Sequence, residues 1–568
     1  MTFSNFEYKR VDLEELKAKL EELTQRLINA QSFEEADAAF VEKDALECAT
    51  VGTMRTVAQI RRDIDTRDPF YDAEMAFYNR ELPKLKPADK AWTDALLASP
   101  FRKDFEEKYG SVPFLNAELE ARSFAPELVE DLQKENDLKT QYSKLIASAQ
   151  IPFDGKVLTL SQLTPYKVSP DDELRRAAWK AEGDWYNENG AELDRIYDEL
   201  VAVRHTMARK LGHATFTPLG YDHMERNCYD EKDVNNFRLA VQKYLVPVAD
   251  KLYREQAKRM GFSYPLSFAD KDLAFRSGNP TPVGTPEDIL NMGTTFYSEL
   301  SPETKEFWDA MRAMEMMDVE SKPGKSSGGY CTSVYGMGMP YIFANFNGTA
   351  HDVEVITHEA GHAFAGYMNR ERIPAATQSP SLEGCEVHSM SMEFFAEPWA
   401  EGFFGEDARK FRYTHLSGAL TFIPYGTLVD HFQHEVYAHP EYTPEQRHGI
   451  WRELLGVYMP WVKLDDGVPF YGEAKGWQRQ LHIYRMPFYY IDYCLAQTVA
   501  LQFWYRIRKD RKAAFETYMN YTRMGGSKVF TELLAAAGLD NPFEENCLKD
   551  ICAEAEKFLL EYDLSGIE

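Results

Sequence analysis

Residues 353–368 read VEVITHEAGHAFAGYM. Val355, Ile356, Ala363, Phe364 and Tyr367 are spaced to give a helix apolar faces, and between them stands His358-Glu359-Ala360-Gly361-His362. Residues four apart on a helix are separated by roughly 40° around its axis. Both imidazoles therefore point the same way, about one turn apart, and can bind a single zinc ion. Glu359 sits roughly 100° away on the same geometry, where it can hydrogen-bond a zinc-bound water without ligating the metal. Zinc lowers the pKa of that water and the carboxylate takes its proton. The small residues Ala360 and Gly361 are expected to keep the approach to the metal open.

A catalytic zinc site takes three protein ligands and keeps one position open. The extension that would supply a third histidine needs Gly at 365 and His at 368; the chain has Ala365 and Met368. The remaining candidates lie in 381–399, SLEGCEVHSMSMEFFAEPW: Glu383, Glu386, His388, Glu393 and Glu397. Glu386, Ser389, Met390 and Glu393 share one helical face, which lets Glu386 reach the metal while Glu393 supports a first ligand from one side. His388 points elsewhere on such a helix and reads as structural. His431, His434 and Glu435 form HFQHE, whose spacing lacks the ligand logic of a metal site.

Outward from the motif, 322–349 is rich in Gly and β-formers. Two strands are expected there, near Gly329–Tyr335 and Tyr341–Asn345, giving a small sheet beside the HExxH helix. The second, over Met339–Asn345, reads either as an edge strand, which would pair with an extended peptide through its main chain, or as an ordinary core strand, since an alternating apolar strand suits both. Most of the first 150 residues look helical, with Leu13, Leu16, Leu20, Leu23 and Leu27 on one face and like patterns through Met54–Ile64 and Leu128–Ser148. Ile151–Leu163 carries an Asp-Gly turn and reads as a hairpin. Helices resume near Asp171 and run to about Met260. Phe262–Pro286 is punctuated by Gly and Pro and reads as a long connection rather than a domain boundary. After Asp352 helical patterns dominate. In His482–Tyr493 (HIYRMPFYYIDY) one imidazole and several phenols are possible donors to an oxyanion. Pro487 would open a helix there, with Tyr490 and Tyr493 on one face.

The 568 residues exceed what one core usually serves, and two lobes are expected. A net charge of -27 argues against nucleic acid, which needs a basic footprint. The seven cysteines are scattered, without a CxxC pair, which suits a reducing compartment. The first residues carry no signal-peptide pattern, and no apolar stretch is long enough to span a bilayer. The expectation is a cytoplasmic protein with no membrane partner.

HEAGH, followed 24 residues after its second His by EVHSMSMEF at 386–394, resembles the thimet-oligopeptidase-like zinc metallopeptidases, and within them the oligoendopeptidase F and Pz-peptidase-like branch. PYIFANFNGTAHDV at 340–353 and HIYRMPFYYIDYCLAQ at 482–497 resemble the same branch. The resemblance is strong over about 320–530 and weaker over the N-terminal half. It implies a mainly α, two-lobed metallopeptidase with a deep substrate channel, one Zn2+ per chain, and short unstructured peptides as substrates. Residues 1–190 would form a helical lobe making one channel wall, and 191–568 the catalytic domain. The third zinc ligand falls on Glu386, and the oxyanion donors on His482, Tyr490 and Tyr493. The chain departs from those relatives at Arg485-Met486-Pro487, where they carry a Gly-Tyr pair. The activity expected is endopeptidase cleavage; the alternatives are an exopeptidase and a non-catalytic, zinc-stabilised peptide-binding protein.

Overall fold

The computed structural model describes residues 1–322, 324–326 and 328–567. The chain is mainly helical with two small sheets, and no helix among the described residues is long and apolar enough to cross a membrane. It forms two compact units, each built from three stretches of sequence. One takes Met1–Ala121, Thr281–Gly405 and Arg506–Leu539; the other takes Arg122–Pro280, Glu406–Tyr505 and the chain from Asp540. The boundary expected after residue 190 falls inside the second unit, at the first residue of helix Gly190–Lys210. The stretch Phe262–Pro286, read as a connection only, contains one of the crossings between units, at Pro280–Thr281.

Local chemistry accounts for most elements. Asp12 accepts from the backbone amides of Glu14 and Glu15 and caps helix Leu13–Asn29, whose Leu13, Leu16, Leu20, Leu23 and Leu27 are buried. Ile151–Phe153 and Lys156–Leu158 pair antiparallel across Asp154 and Gly155, both at positive φ (49° and 69°), as a tight hairpin turn requires. Asp171 caps helix Asp172–Glu188, its side chain accepting from the amides of Glu173 and Leu174. Gly261, left-handed at φ 68°, closes helix Val246–Met260.

In the first unit the sheet has three strands. Met339–Phe346 is central, antiparallel to Tyr330–Val334 on one side and parallel to Met317–Glu320 on the other. Of the two readings of Met339–Asn345, the core strand holds and the edge strand is corrected: both of its edges are already paired, and its side chains are nearly all buried. The parallel partner MDVE was missed because four residues without alternation carry no strand signal. Met317–Glu320 and Tyr330–Val334 are the two edge strands among the described residues, and Tyr330–Val334 is the one that follows Gly329.

In the second unit a buried guanidinium ties distant segments together. Arg204 donates to Glu135 Oε1 (2.8 Å), to the Tyr437 hydroxyl (2.9 Å) and to the Tyr484 carbonyl (2.6 Å), and is fully buried. Burial pushes the Glu135 carboxyl up, but Arg204 and Lys139 outweigh it and hold its pKa down at about 2. Glu135→Gln strands a buried charge and is expected to cost about 3–5 kcal/mol at neutral pH. The folded pKa lies below the ordinary 4.5, so this contribution is present above pH 4.5 and lost as pH falls through about 2. Urea unfolding of both proteins should therefore show a gap that narrows from pH 4.5 downward.

Candidate metal centre

The HExxH helix spans His351–Asn369. Its start is held by Asp352, which accepts from the amides of Asn347 (2.9 Å) and Gly348 (2.7 Å). Ile356, Ala360, Ala363 and Phe364 are completely buried and fix which face is left for chemistry. The second helix, Leu382–Phe395, crosses it closely. A Cβ at Gly361 would stand 2.6 Å from Ser389 Cα and 2.7 Å from the His388 carbonyl oxygen. Gly361 therefore serves helix packing; the expectation that it keeps the approach to the metal open is replaced.

That crossing brings one carboxylate to both imidazoles. Glu386 Oε2 lies 3.3 Å from His358 Nε2 and 3.3 Å from His362 Nε2, and the donor atoms of the three residues fall within 4.8 Å of one another. Ser389 Oγ donates to Glu386 Oε2 at 3.0 Å. His358 Nδ1 is 2.7 Å from Glu393 Oε1, so Glu393 orients the ring and turns Nε2 to the cluster, the support expected of it. Burial pushes the Glu386 carboxyl up, yet the two histidines outweigh it and hold it well below the usual range. Burial alone would depress His358, but Glu386 and Glu393 raise it well above its ordinary value. The carboxylates thus draw positive charge to the point where the donor atoms converge. Two imidazole nitrogens and a carboxylate oxygen also suit zinc by ligand type, so the residues fit the ion.

Glu359 stands outside the donor group. Burial raises its pKa against the pull of His358 and His362, which makes it a better proton acceptor when ionised. The strand edge begins beside it: Glu359 Oε1 is 3.9 Å from where a Cβ on Gly329 would stand.

The other candidates are elsewhere. His388 is 1% exposed, packs on Tyr521 with ring centres 4.9 Å apart, and is pushed down to about 3 by burial and by His362. Glu383 accepts from Ser381 Oγ at 2.7 Å. Neither of them, nor Glu397, joins the donor group. In HFQHE, His434 meets Tyr221 and His431 meets Tyr458.

His482, Tyr490 and Tyr493 belong to the second unit and gather there. Ring centres of His482 lie 4.9 Å from Tyr490 and 5.8 Å from Tyr493, and those of the two tyrosines 5.6 Å apart. Pro487 does not open the helix, which begins at Tyr490. Phe488 intervenes in a left-handed conformation, φ 68°, held by Gln433, which accepts from its amide (3.0 Å), and by Arg226 on its carbonyl. Two neighbours were missed. Tyr489 has its ring centre 5.6 Å from that of His482. Gln480 donates to His482 Nδ1 at 2.8 Å while accepting from the Tyr425 hydroxyl at 2.8 Å. With Nδ1 an acceptor, the neutral ring carries its proton on Nε2. A glutamine two residues from a histidine carries no sequence signal for this.

Residues 303–552, which hold both groups, match Peptidase family M3, and residues 3–124 match the Peptidase M3 N-terminal domain. The chain belongs to peptidase family M3. As a family M3 chain it is a metallopeptidase, a hydrolase. A solved structure of PZ peptidase A with an inhibitor is similar at 44% identity and a TM-score of 0.95, covering 99% of this chain and 100% of that one. Oligopeptidase PepF of Bacillus subtilis is 22% identical over 546 residues, 88% of this chain and 77% of its own. An oligoendopeptidase F homolog of Borreliella burgdorferi is 24% identical over 482 residues, 81% and 78% of the two chains.

Gly361→Ala is expected to force the two helices apart, because the obstructing atoms are backbone. The cost should be on the order of 1–3 kcal/mol, with weaker metal retention on dialysis against a chelator. Gly366→Ala, in the same helix with nothing within 4 Å, should be neutral or stabilising by up to about 1 kcal/mol. Equal metal retention in both variants would refute the packing role.

Proposed function

We propose that the chain is a zinc-dependent endopeptidase that cuts internal bonds of short peptides. In this reading His358, His362 and Glu386 hold the ion, Glu359 is the base, and His482, Tyr490 and Tyr493 serve the transition state. The observation that carries it is the convergence of three donor atoms within 4.8 Å with a carboxylate beside them that is not one of the three. When bound, zinc supplies a Lewis acid that acidifies water and polarises a carbonyl.

The chain's own residues do the rest. Glu359 accepts the proton of the attacking water and returns it to the leaving amine. Glu386 and Glu393 keep the two histidine rings in place. Gln480 holds His482 with a hydrogen on Nε2, and the phenols of Tyr490 and Tyr493 are further donors for the oxyanion. The unpaired edge of Tyr330–Val334, starting beside Glu359, suits the main chain of an extended peptide. Only an unstructured segment can lie along a strand edge, which favours short peptides over folded proteins. All seven cysteines are free, which favours the reducing cytoplasm as its setting.

A peptide blocked at both ends and internally quenched tests the endopeptidase reading: cleavage is expected, and its absence would overturn that reading, with cleavage of the same peptide left unblocked then deciding for the exopeptidase. Glu359→Gln should keep zinc, measured by atomic absorption, and lower kcat by about 10²–10⁴-fold. His358→Ala, His362→Ala and Glu386→Ala should lose zinc. If Glu386→Ala held zinc while Glu383→Ala or His388→Ala lost it, the ligand set would be wrong. Tyr490→Phe, Tyr493→Phe and His482→Ala are expected to retain zinc, and at least one of them to lower kcat by about 100-fold or more. Three variants all within about threefold of the parent, far short of that loss, would remove this group from the reaction.

A further inference from the structure

The second unit contains a cavity of about 370 Å³ to which the chemistry above assigns no occupant. Aromatic side chains, among them Trp179, Tyr425, Tyr471 and Tyr490, form much of its wall. Its charged lining residues are Arg479, Lys271 and Asp272. Lys271 and Asp272 pair with each other. A nearby carboxylate, that of Glu182, is taken by Lys167 and by the Tyr471 hydroxyl. Arg479 has no hydrogen bond or ion pair among the described residues; its guanidinium carbon lies 5.8 Å from the ring centre of Tyr471. Arg479 is solvent-accessible and lines the cavity, at the end of the short helix Gly476–Arg479.

A guanidinium is always charged and presents a planar fork that fits a carboxylate in two parallel hydrogen bonds. Left unpaired in an aromatic enclosure, it gives the cavity a surplus of one positive charge, in a protein whose net charge is -27. The aromatic walls suit the apolar body of a residue and exclude water around the ion pair that such a residue would complete. Tyr490 lines this cavity and also packs on His482. Tyr425 lines it too and hydrogen-bonds Gln480, the residue that holds His482. The cavity is thus continuous with the group assigned to the transition state.

We propose that this cavity is a substrate subsite in which Arg479 binds a carboxylate of the peptide, with the aromatic walls enclosing the residue that carries it. The proposal rests on the peptidase reading above. The carboxylate has two sources, the peptide's C-terminus and an Asp or Glu side chain, and they are told apart by three N-acetylated hexapeptides of one core sequence. The first is a free C-terminal acid without acidic side chains, the second a C-terminal amide containing one Glu, the third the same amide with Gln in its place.

Calorimetric binding to the zinc-loaded Glu359→Gln protein is expected to show one of the first two at least tenfold tighter than the third, which names the source. Adding Arg479→Met should abolish that advantage and leave binding of the third peptide within threefold. Affinities equal within threefold for all three peptides, an absence of binding, or an advantage that survives Arg479→Met would overturn the proposal. If Arg479→Met does not fold, Arg479→Lys keeps the charge without the fork and should lose most of the preference; full retention would count against the proposal. Failure of the endopeptidase reading would appear separately, as wild-type protein that leaves the blocked, quenched peptide uncut.

Discussion

The metal centre depends on the closeness of two helix backbones. Glu386 reaches His358 and His362 only because helix Leu382–Phe395 lies against Gly361, where a methyl group would meet backbone atoms at 2.6–2.7 Å. Interiors are packed at crystal density and do not absorb such an intrusion. One hydrogen atom in place of a side chain thus sets the reach of the third donor. Once the helices are at that distance, the rest is short-range: Ser389 steadies Glu386 and Glu393 steadies His358. The small sheet packs on the same helix and delivers an unpaired strand edge beside Glu359.

Electrostatics then set the charges at this point. Buried carboxylates ordinarily bind protons more tightly and buried imidazoles less tightly. Here the order is reversed for Glu386 and His358, because each is the other's partner and Glu393 adds a second negative charge. Glu359, with no such hydrogen bond from the histidines, follows the ordinary direction. Two neighbouring carboxylates on adjoining helices are driven apart in affinity for protons by their partners, the arrangement that lets one hold a cation and the other move a proton.

The second unit uses buried charge to hold shape. Arg204 gathers a carboxylate, a phenol and a main-chain carbonyl, and Arg226 joins the Phe488 carbonyl to Asp492 (2.9 Å) at the start of the Tyr490 helix. Both arginines brace the turn between His482 and Tyr490, the stretch where this chain departs in sequence from the relatives it resembles. Removing either member of such a pair leaves an uncompensated buried charge. A segment bearing a histidine and two tyrosines is thereby fixed by residues more than 200 positions earlier.

What the sequence determined by itself is what helical periodicity determines: His358 and His362 on one side of one helix, Glu359 off that side, the leucine face of the first helix, the Asp-Gly hairpin. These follow from bonds within a few residues. The helical face holding Glu386 and Glu393 was legible in the same way, but not which acid on it would meet the metal ligands; family resemblance supplied that, and the helix crossing supplies the geometry. Only the tertiary structure decided that Met339–Phe346 is a central strand, since a strand's neighbours come from elsewhere in the chain, here from a four-residue segment with no pattern of its own. It alone decided that Gly361 is a packing residue, that the compact units interleave along the chain, and that Gln480 stands on His482. It also placed Arg479 on an aromatic cavity with no hydrogen-bond or ion-pair partner among the described residues. Each of these is a matter of which surfaces meet, and local propensity carries no information about partners far along the chain.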